Sequence, residues 1–160
     1  MDIIPVILYW PNGNKRLEEW HLNGEYYRVD GPAYIWYYES GKTCREYWYL
    51  NGKLHRVDGP AYILYHNSGN IKRESWYLNG KLHKEDGPAT IWYYVSGKTQ
   101  QEHWSVSGCF HRVNGPAFIE YCEAGIIQEE KWYINGIYHR EDGPAHISYY
   151  ESGKIEQEMW

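Results

Sequence analysis

Residues 48–61 read WYLNGKLHRVDGPA, and versions of this stretch recur along the whole chain. The leading tryptophan returns every 28 residues (48 − 20 = 28), and the turn glycine and the proline keep the same step. The tryptophans of the series are Trp20, Trp48, Trp76, Trp104, Trp132 and Trp160. A fixed period without insertions predicts a repeat architecture, in which each unit packs only against its neighbours.

Each period contains two stretches with the pattern of β-strands. The first is typified by residues 43–50 and the second by residues 54–65, and Asn51, Gly52 and Lys53 join them. Asn-Gly between two such stretches is the strongest short-range hairpin signal. Helical spacing of apolar residues is missing, and glycine or proline interrupts the chain too often for helices. We therefore predict an all-β fold, an elongated and twisted single antiparallel sheet of about twelve strands built from β-hairpin repeats.

The repeats follow one another without a linker or a low-complexity segment, so residues 1–160 are predicted to form a single repeat array. The predicted parts are a half-repeat at 4–14, units at about 15–42, 43–70, 71–98, 99–126 and 127–154, and a terminal strand at 155–160.

Alternation along the first strand separates a repeated face from a variable one. Glu46, Trp48 and Leu50 share one face, because successive side chains of a strand point to opposite sides. These positions keep their character in every unit, as expected of a core that stacked units share. The column of Tyr47 holds glutamate, tyrosine, serine, histidine, lysine and methionine in successive units, and we interpret it as solvent-facing.

The second strand shows the same division. Ala61, Ile63 and Tyr65 occupy fixed columns, whereas the residues between them vary. Proline donates no backbone hydrogen bond and is tolerated in sheets mainly at edges and bulges. We therefore predict that residues 58–60, Asp-Gly-Pro, form a bulge that bends this strand.

The length of the hairpin loop decides which residues face each other. A three-residue loop at 51–53 pairs Trp48 with Arg56, so that the guanidinium lies on the indole and reaches Glu46. A two-residue loop pairs Trp48 with His55 instead. We favour the three-residue loop because it places an apolar column on the core face. That column is Tyr26, Leu54, Leu82, Phe110 and Tyr138.

The glutamate, tryptophan and arginine of each hairpin are predicted to form a repeated structural core. A catalytic pair needs one singular pocket, whereas this set occurs in every unit. A salt bridge stacked on tryptophan is therefore favoured over acid–base chemistry, and the aspartate before Gly-Pro is predicted to bond the turn backbone. The predicted core residues are Glu46, Trp48, Arg56, Asp58, Glu74, Trp76, Glu102, Trp104 and Trp132.

No catalytic residue, metal site or cofactor is predicted. The histidine column (His55, His83, His111 and His139) has a spacing of about 10 Å, because each repeat contributes two strands, and such histidines cannot share one zinc ion. Three cysteines without a CxxC pair give neither a disulfide framework nor a zinc site, so we expect reduced thiols and a cytoplasmic location.

Charge and hydropathy argue against two classes of partner. The formal net charge is −5, whereas a nucleic-acid binder needs a basic patch or stripe. No apolar run approaches the ~20 residues of a membrane span, and the basic residues near the hairpin tips have acidic neighbours. Neither nucleic acid nor a membrane is therefore an expected partner.

The variable face carries many aromatic residues, and a high density of such residues marks a binding surface. The alternative is that the twisted sheet curls or packs on itself and covers them. The candidate binding residues are Tyr34, Trp36, Tyr38, Tyr49, Tyr62, Leu64, Tyr77, Trp92, Tyr94 and Phe118. We expect a non-enzymatic scaffold that binds protein through this face, and another copy of the chain is one such partner. The second hypothesis is a module that binds a small ligand, namely a sugar, a nucleotide or a lipid headgroup.

Residues 46–55, EYWYLNGKLH, resemble the hairpin of MORN repeats, with tryptophan, Asn-Gly-Lys and histidine in the same order. Gly59, Tyr65 and Gly69 fall roughly where that family has its second-strand glycine, tyrosine and closing glycine. The Asp-Gly-Pro-Ala insertion makes the pattern similar to the MORN-variant repeats common in giant DNA viruses and some bacteria. The resemblance implies a scaffold or binding surface rather than an enzyme, in the cytoplasm of a host cell or in the virion if the source is viral.

Overall fold

The computed structural model describes residues 5–160 and confirms the predicted all-β class. The predicted half-repeat begins at Ile4, which lies outside the described residues. Within residues 5–160 every element is a strand or a turn, so no helix there could cross a membrane.

The strands fall into twelve of four or five residues and ten of two residues. In chain order they are β1 Val6–Tyr9, β2 Lys15–Glu19, β3 His21–Leu22, β4 Glu25–Tyr26, β5 Tyr34–Tyr37, β6 Thr43–Tyr47, β7 Tyr49–Leu50, β8 Lys53–Leu54, β9 Tyr62–Tyr65, β10 Ile71–Ser75, β11 Tyr77–Leu78, β12 Lys81–Leu82, β13 Thr90–Tyr93, β14 Thr99–His103, β15 Ser105–Val106, β16 Cys109–Phe110, β17 Phe118–Tyr121, β18 Ile127–Lys131, β19 Tyr133–Ile134, β20 Ile137–Tyr138, β21 His146–Tyr149 and β22 Ile155–Met159.

The chain divides into two compact units, Met1–Lys81 and Leu82–Trp160. In the first unit the long strands pair in the order β1-β2-β5-β6-β9-β10, and in the second in the order β13-β14-β17-β18-β21-β22. All these pairings are antiparallel, and the short strands form separate two-stranded ladders. Within each unit, each long strand thus pairs with the long strand that follows it in sequence, as expected for a chain of hairpins.

The Asn-Gly turns have the geometry that the sequence predicts, but the loop is shorter than expected. Asn51 and Gly52 have φ of +49° and +68°, and two successive positive φ values define the two-residue turn whose twist matches that of the strands. Leu50 pairs with Lys53 and Tyr49 with Leu54. The predicted three-residue loop is therefore wrong, and the two-residue alternative is confirmed.

Trp48 is the point at which the first strand changes partner. Its N–H donates to the Ala61 carbonyl at 2.7 Å, while its own carbonyl accepts from the N–H of His55 at 3.0 Å. The chain leaves the ladder after His55, which is bonded to the carbonyl of Trp48. It returns at Ala61, which is bonded to the N–H of the same tryptophan. The predicted second strand is for this reason interrupted at 55–61.

A β-bulge does occur in every long hairpin, but at the start of the first strand rather than at Asp-Gly-Pro. Tyr37 pairs with Thr43 and Trp36 with Arg45, so Cys44 is the extra residue. The equivalent residues of all six hairpins are Arg16, Cys44, Lys72, Gln100, Gln128 and Glu156. Such a bulge increases the local twist and re-aims the side chains that follow it. The predicted bulge at residues 58–60 is therefore wrong.

One face of the sheet is the buried repeat core, here called the core face. It is formed by alanines and isoleucines of the second strands, as predicted for Ala61 and Ile63. Its buried members are Ala33, Ala61, Ala89, Ala117, Ala145, Ile35, Ile63, Ile119 and Ile147. Burying these apolar side chains gives each hairpin its main stabilisation against its neighbours.

The opposite face is not the solvated surface predicted for the Tyr47 column. Tyr47 lies directly opposite Tyr62 and Tyr34 on the neighbouring strands, so the three rings share a face. Ser75, one repeat later, is fully buried. The solvent interpretation is therefore wrong for Tyr47, which contacts the rings on both neighbouring strands, and for buried Ser75, whereas Met159 at the end of the column is 49% exposed.

Candidate functional site

Tyrosine rings form a continuous cluster on the first unit, here called the aromatic face: Tyr26, Tyr34, Tyr47, Tyr49 and Tyr62. The Tyr34 and Tyr47 rings meet edge to face at 5.2 Å, and the Tyr47 and Tyr62 rings are 4.8 Å apart. Tyr26 stacks on Tyr49 at 4.8 Å, so the short hairpins extend the cluster beyond the long strands. Aromatic pairs at these distances add about 0.5–1.5 kcal/mol each beyond their buried area, which makes the cluster a firm platform.

Arginines lie on the rings of this face. The Cζ atom of Arg45 is 5.4 Å from the Trp36 ring centre, and that of Arg16 is 5.3 Å from the same ring. Arg73 lies 5.2 Å from the ring centre of Tyr62. The Nε atoms of Arg16 and Arg45 are buried and have no hydrogen-bond partner among residues 5–160. Their hydrogen-bonding capacity is therefore only partly used within the chain.

All ten residues of the predicted binding face are half-buried rather than fully exposed. The structure brings Tyr34, Tyr49 and Tyr62 into the ring cluster. Trp36 lies beside it under the arginines. Leu64 lies directly opposite Arg45 in the ladder.

The structure places the other predicted residues elsewhere. Tyr38 and Tyr94 are not in a ring cluster; their hydroxyls donate to the backbone carbonyls of Tyr65 at 2.7 Å and Tyr121 at 2.8 Å. They connect successive repeats at the long turns. Tyr77 is on β11, and its carbonyl accepts from the N–H of Arg56. Trp92 is on β13 of the second unit.

The corresponding face of the second unit is more polar. His103 contacts the rings of Phe110 at 5.5 Å and Phe118 at 5.1 Å, and Tyr133 stacks on Tyr138 at 4.4 Å. The Glu129 carboxylate accepts from Nε2 of His146 at 2.7 Å and contacts Nζ of Lys131 at 2.8 Å. Glu129 thus occurs on this unit at the repeat position that Arg45 has in the first unit.

Sequence reasoning missed Tyr26 and Tyr47 as members of the aromatic face, and Arg45 and Arg73 as cations resting on it. The three-residue loop predicts the column of Tyr26 on the core face, whereas the two-residue turn of the structure places this column on the opposite face. Leu54 pairs with Tyr49 and therefore shares its face. The Asn-Gly turn type favours a two-residue loop and so could have placed Tyr26 on the aromatic face, whereas Tyr47, Arg45 and Arg73 are placed there by the long ladders.

The arginine that follows the hairpin stacks on the tryptophan as predicted in four repeats, whereas the repeat of Trp76 has Lys84 at this position. The Arg56 Cζ is 3.8 Å from the Trp48 ring centre. Its Nε, however, donates to Asp58 at 2.9 Å and not to Glu46, so the predicted salt bridge to glutamate is wrong. The Asp58 side chain is 82% exposed, and the hydrogen bond from Arg56 lowers the pKa of its carboxyl. The two-residue separation of Arg56 and Asp58 makes this pair local, which explains why it forms in preference to the longer reach.

The same stack recurs on three other tryptophans. The distances are 4.0 Å for Arg28 on Trp20, 3.8 Å for Arg112 on Trp104 and 4.0 Å for Arg140 on Trp132.

The glutamates of the core face are bound by tyrosines. Tyr65 donates its hydroxyl to Glu46 at 3.4 Å, and Tyr149 donates to Glu130 at 2.6 Å. Burial raises the pKa of Glu46, and it raises the pKa of Tyr149 to about 12 together with the hydrogen bond to Glu130. Since the arrangement repeats along the chain, it acts as a structural contact between repeats.

The histidine column links successive hairpins. The Nδ1 atom of His55 accepts from the N–H of Asn79 at 3.2 Å, and His111 accepts from Asn135 in the same way. His55, His83 and His111 thus hold the turn of the next hairpin. Within residues 5–160 there is no group of three histidine, cysteine, aspartate or glutamate residues that could hold a metal ion.

Two open grooves lie in the second unit, between loops at equivalent positions of successive repeats. The larger, about 920 Å³, is bordered by residues 111–116 and 139–142, with Trp132 and Ile134 between them. The smaller, about 510 Å³, uses residues 111–114 again with Lys84 and Trp104. Repeated grooves of mixed charge differ from a single concave site with convergent polar groups.

The chain matches no family model, and a comparison with curated proteins gives no match either.

Proposed function

We propose that this protein is a non-enzymatic repeat scaffold that binds protein partners through the aromatic face of its first unit. The observation that carries the proposal is the half-buried cluster of five tyrosines, with Trp36 beside it and arginines resting on the rings. Tyrosine, tryptophan and arginine are the residues that dominate binding energy in protein interfaces. Rings that are already stacked also lose little side-chain entropy when a partner binds.

We also propose that the protein acts in the cytoplasm and that it is related to MORN-like repeat proteins. The free thiols of Cys44, Cys109 and Cys122 suit a reducing compartment. The recurrent hairpin with tryptophan, Asn-Gly and histidine supports the kinship, and its histidine holds the next hairpin in place. We assign no catalytic role, because the carboxylates of the core face recur in tyrosine-bound form rather than as one distinctive pair.

The proposal is tested by selecting binders from a library of displayed random peptides. We expect the selected peptides to bind the wild type but not Tyr34→Ser/Tyr62→Ser. The matched control is Tyr9→Ser, because Tyr9 is 57% exposed and lies outside the ring cluster. Circular dichroism and thermal melting establish that each variant is folded.

Selected peptides that bind the double variant as well as the wild type would refute the assignment of the face. A second titration, with defined mono- and disaccharides and nucleoside monophosphates followed by intrinsic fluorescence, tests the small-ligand alternative. Saturable binding of one of these compounds that is lost in Tyr34→Ser/Tyr62→Ser would favour that alternative.

A further inference from the structure

The two compact units differ in charge far more than the repeat pattern requires. Residues 1–81 contain ten lysines and arginines against nine aspartates and glutamates, for a net charge of +1 (10 − 9). Residues 82–160 contain six against twelve, for a net charge of −6 (6 − 12). The fold itself is the same in both units, so the asymmetry reflects residues whose choice the fold leaves open.

Part of this asymmetry lies in one cross-strand row on the face opposite the core. In the first unit, successive ladder partners place Leu17, Trp36, Arg45, Leu64 and Arg73 next to one another. These residues share one face, because directly paired residues of antiparallel strands lie on the same side. The row is apolar and basic, and it borders the ring cluster.

The equivalent row of the second unit is acidic. Ladder partners place Trp92, Gln101, Glu120, Glu129, Ser148 and Gln157 next to one another, and Glu120 and Glu129 are its charged members. Glu129 stands three repeats after Arg45, at the same repeat position (129 − 45 = 84 = 3 × 28). A carboxylate therefore replaces a guanidinium at one repeat position of this row, and the second carboxylate, Glu120, stands where the first unit has Trp36 (120 − 36 = 84).

Both rows carry an electrostatic imbalance within the chain. Glu120 and Glu129 are directly opposite each other, and like charges in this position destabilise a sheet. Gln101 donates to Glu120 at 3.0 Å, and Lys131 and His146 contact Glu129, which offsets the repulsion in part. In the first unit Arg45 lies on Trp36 and Tyr47, and no carboxylate among residues 5–160 forms an ion pair with it.

We infer that the partner of the aromatic face is a second copy of this chain, whose Glu120–Glu129 row binds the Arg45–Arg73 row of the first copy. The inference rests on the proposed function and names the partner. Arg45 and Arg73 are two strands apart, at about 10 Å, whereas Glu120 and Glu129 are on adjacent strands, at about 5 Å, so the carboxylate pair would lie between the two guanidiniums. Arginine presents a planar set of donors that suits two neighbouring carboxylates, while Leu64 and Trp36 supply apolar contact.

The test is a charge exchange in the full chain, measured by light scattering across a concentration series. Variant A carries Arg45→Glu and Arg73→Glu, and variant B carries Glu120→Arg and Glu129→Arg. We expect the wild type to self-associate at low salt and to dissociate as salt rises, because screening weakens contacts between charged rows. Each variant alone should associate about 100-fold more weakly, since like charges then face each other.

The decisive measurement is the equimolar mixture of A and B. In the mixture the introduced glutamates of A face the introduced arginines of B. The unchanged acidic row of A also faces the unchanged basic row of B. We therefore expect association within about tenfold of the wild type, by the same electrostatic complementarity. A control variant, Lys53→Glu/Lys81→Glu, changes the formal charge by the same amount at two exposed hairpin tips, and it should associate like the wild type.

Three results would overturn the inference: a wild type that stays monomeric at low salt, an equal loss in the lysine control, or a mixture of folded A and B that does not associate. If variant A fails to fold, Arg45→Gln/Arg73→Gln takes its place and should still weaken association relative to the lysine control. A monomeric wild type that still selects peptides on the aromatic face would leave the proposed function standing and remove only the second copy as partner.

Discussion

The contact between Arg56 and Gly59 allows a sharp test of the stacked arginine. A methyl group added at Gly59 would lie 2.9 Å from the Arg56 Cζ, closer than such atoms approach, and φ at Gly59 is not in the positive range. The clash alone should therefore decide the effect of Gly59→Ala. Since the Arg56 side chain is flexible, we expect it to move away from the methyl group and to leave the Trp48 ring.

The magnitude follows from what the arginine loses. At 3.8 Å from the ring centre the guanidinium makes a close cation–π contact, and a partly desolvated contact of this kind is worth about 1–2 kcal/mol. The ion pair with exposed Asp58 adds little, because water competes for both groups. Gly59→Ala and Arg56→Ala should thus each lower the free energy of unfolding by about 1–2 kcal/mol.

The double variant Gly59→Ala/Arg56→Ala shows whether both substitutions destabilise the protein by removing the same arginine–tryptophan contact. Without the arginine side chain the methyl group meets no obstacle, so Gly59→Ala/Arg56→Ala should be no less stable than Arg56→Ala alone. Urea unfolding of the four proteins, followed by circular dichroism, measures this cycle. Additive losses would refute the reasoning, since they would show that Gly59 is needed for its backbone and not for the room it leaves. Gly87→Ala is the matched control, because its flexible neighbour is Lys84 at 3.1 Å, and its effect should be smaller.

Three further predictions concern the turns, the tyrosines and the core. Ser107 has a φ of +54° where other hairpins have asparagine, so Ser107→Asn should stabilise the protein by about 0.5–1 kcal/mol and Asn79→Ser should destabilise it, as thermal melting would show. Burial and Glu130 raise the pKa of Tyr149 from 10.0 to about 12, so the folded state holds this proton more tightly than the unfolded state. Stability should therefore fall as pH rises from about 10 to 12. Urea midpoints measured in this range should fall less steeply for Tyr149→Phe than for the wild type. Ala61 is fully buried, so Ala61→Leu should cost about 1–3 kcal/mol in urea unfolding, whereas Val57→Leu, at a position 86% exposed, should change little.

The sequence predicts the hairpins and the core face because these features depend on local chemistry. Asn51 and Gly52 specify their turn by backbone preference alone, and the alternation of Ala61 and Ile63 specifies which side is buried. The stack of arginine on tryptophan was predicted correctly, although the ladder pair of Trp48 and Arg56 from which it was predicted does not form. Arg56 reaches Trp48 from a segment that has left the ladder.

The partner change at Trp48 and the ring cluster around Tyr47 could not be predicted from local patterns, because both depend on residues that are distant in sequence. Trp48 changes partner within one residue, donating to Ala61 while accepting from His55, and alternation along one strand does not show that the chain leaves the ladder between these two partners. The Tyr47 column looks solvent-facing when it is read along one strand. It becomes part of a ring cluster only when Tyr34 and Tyr62 are placed beside it by the ladders.

The two faces of the sheet carry different kinds of information. A residue on the core face must fit an identical neighbour one repeat away, so buried alanines recur from Ala33 to Ala145 and the chain has little freedom there. On the opposite face the same ladder geometry accepts arginine at Arg45 and glutamate at Glu129. The fold therefore does not explain which residue occupies that row. Because stacking leaves the choice open, the charge difference between the two rows is the feature on which the proposed self-association rests, and the charge exchange between them is the experiment that tests it most directly.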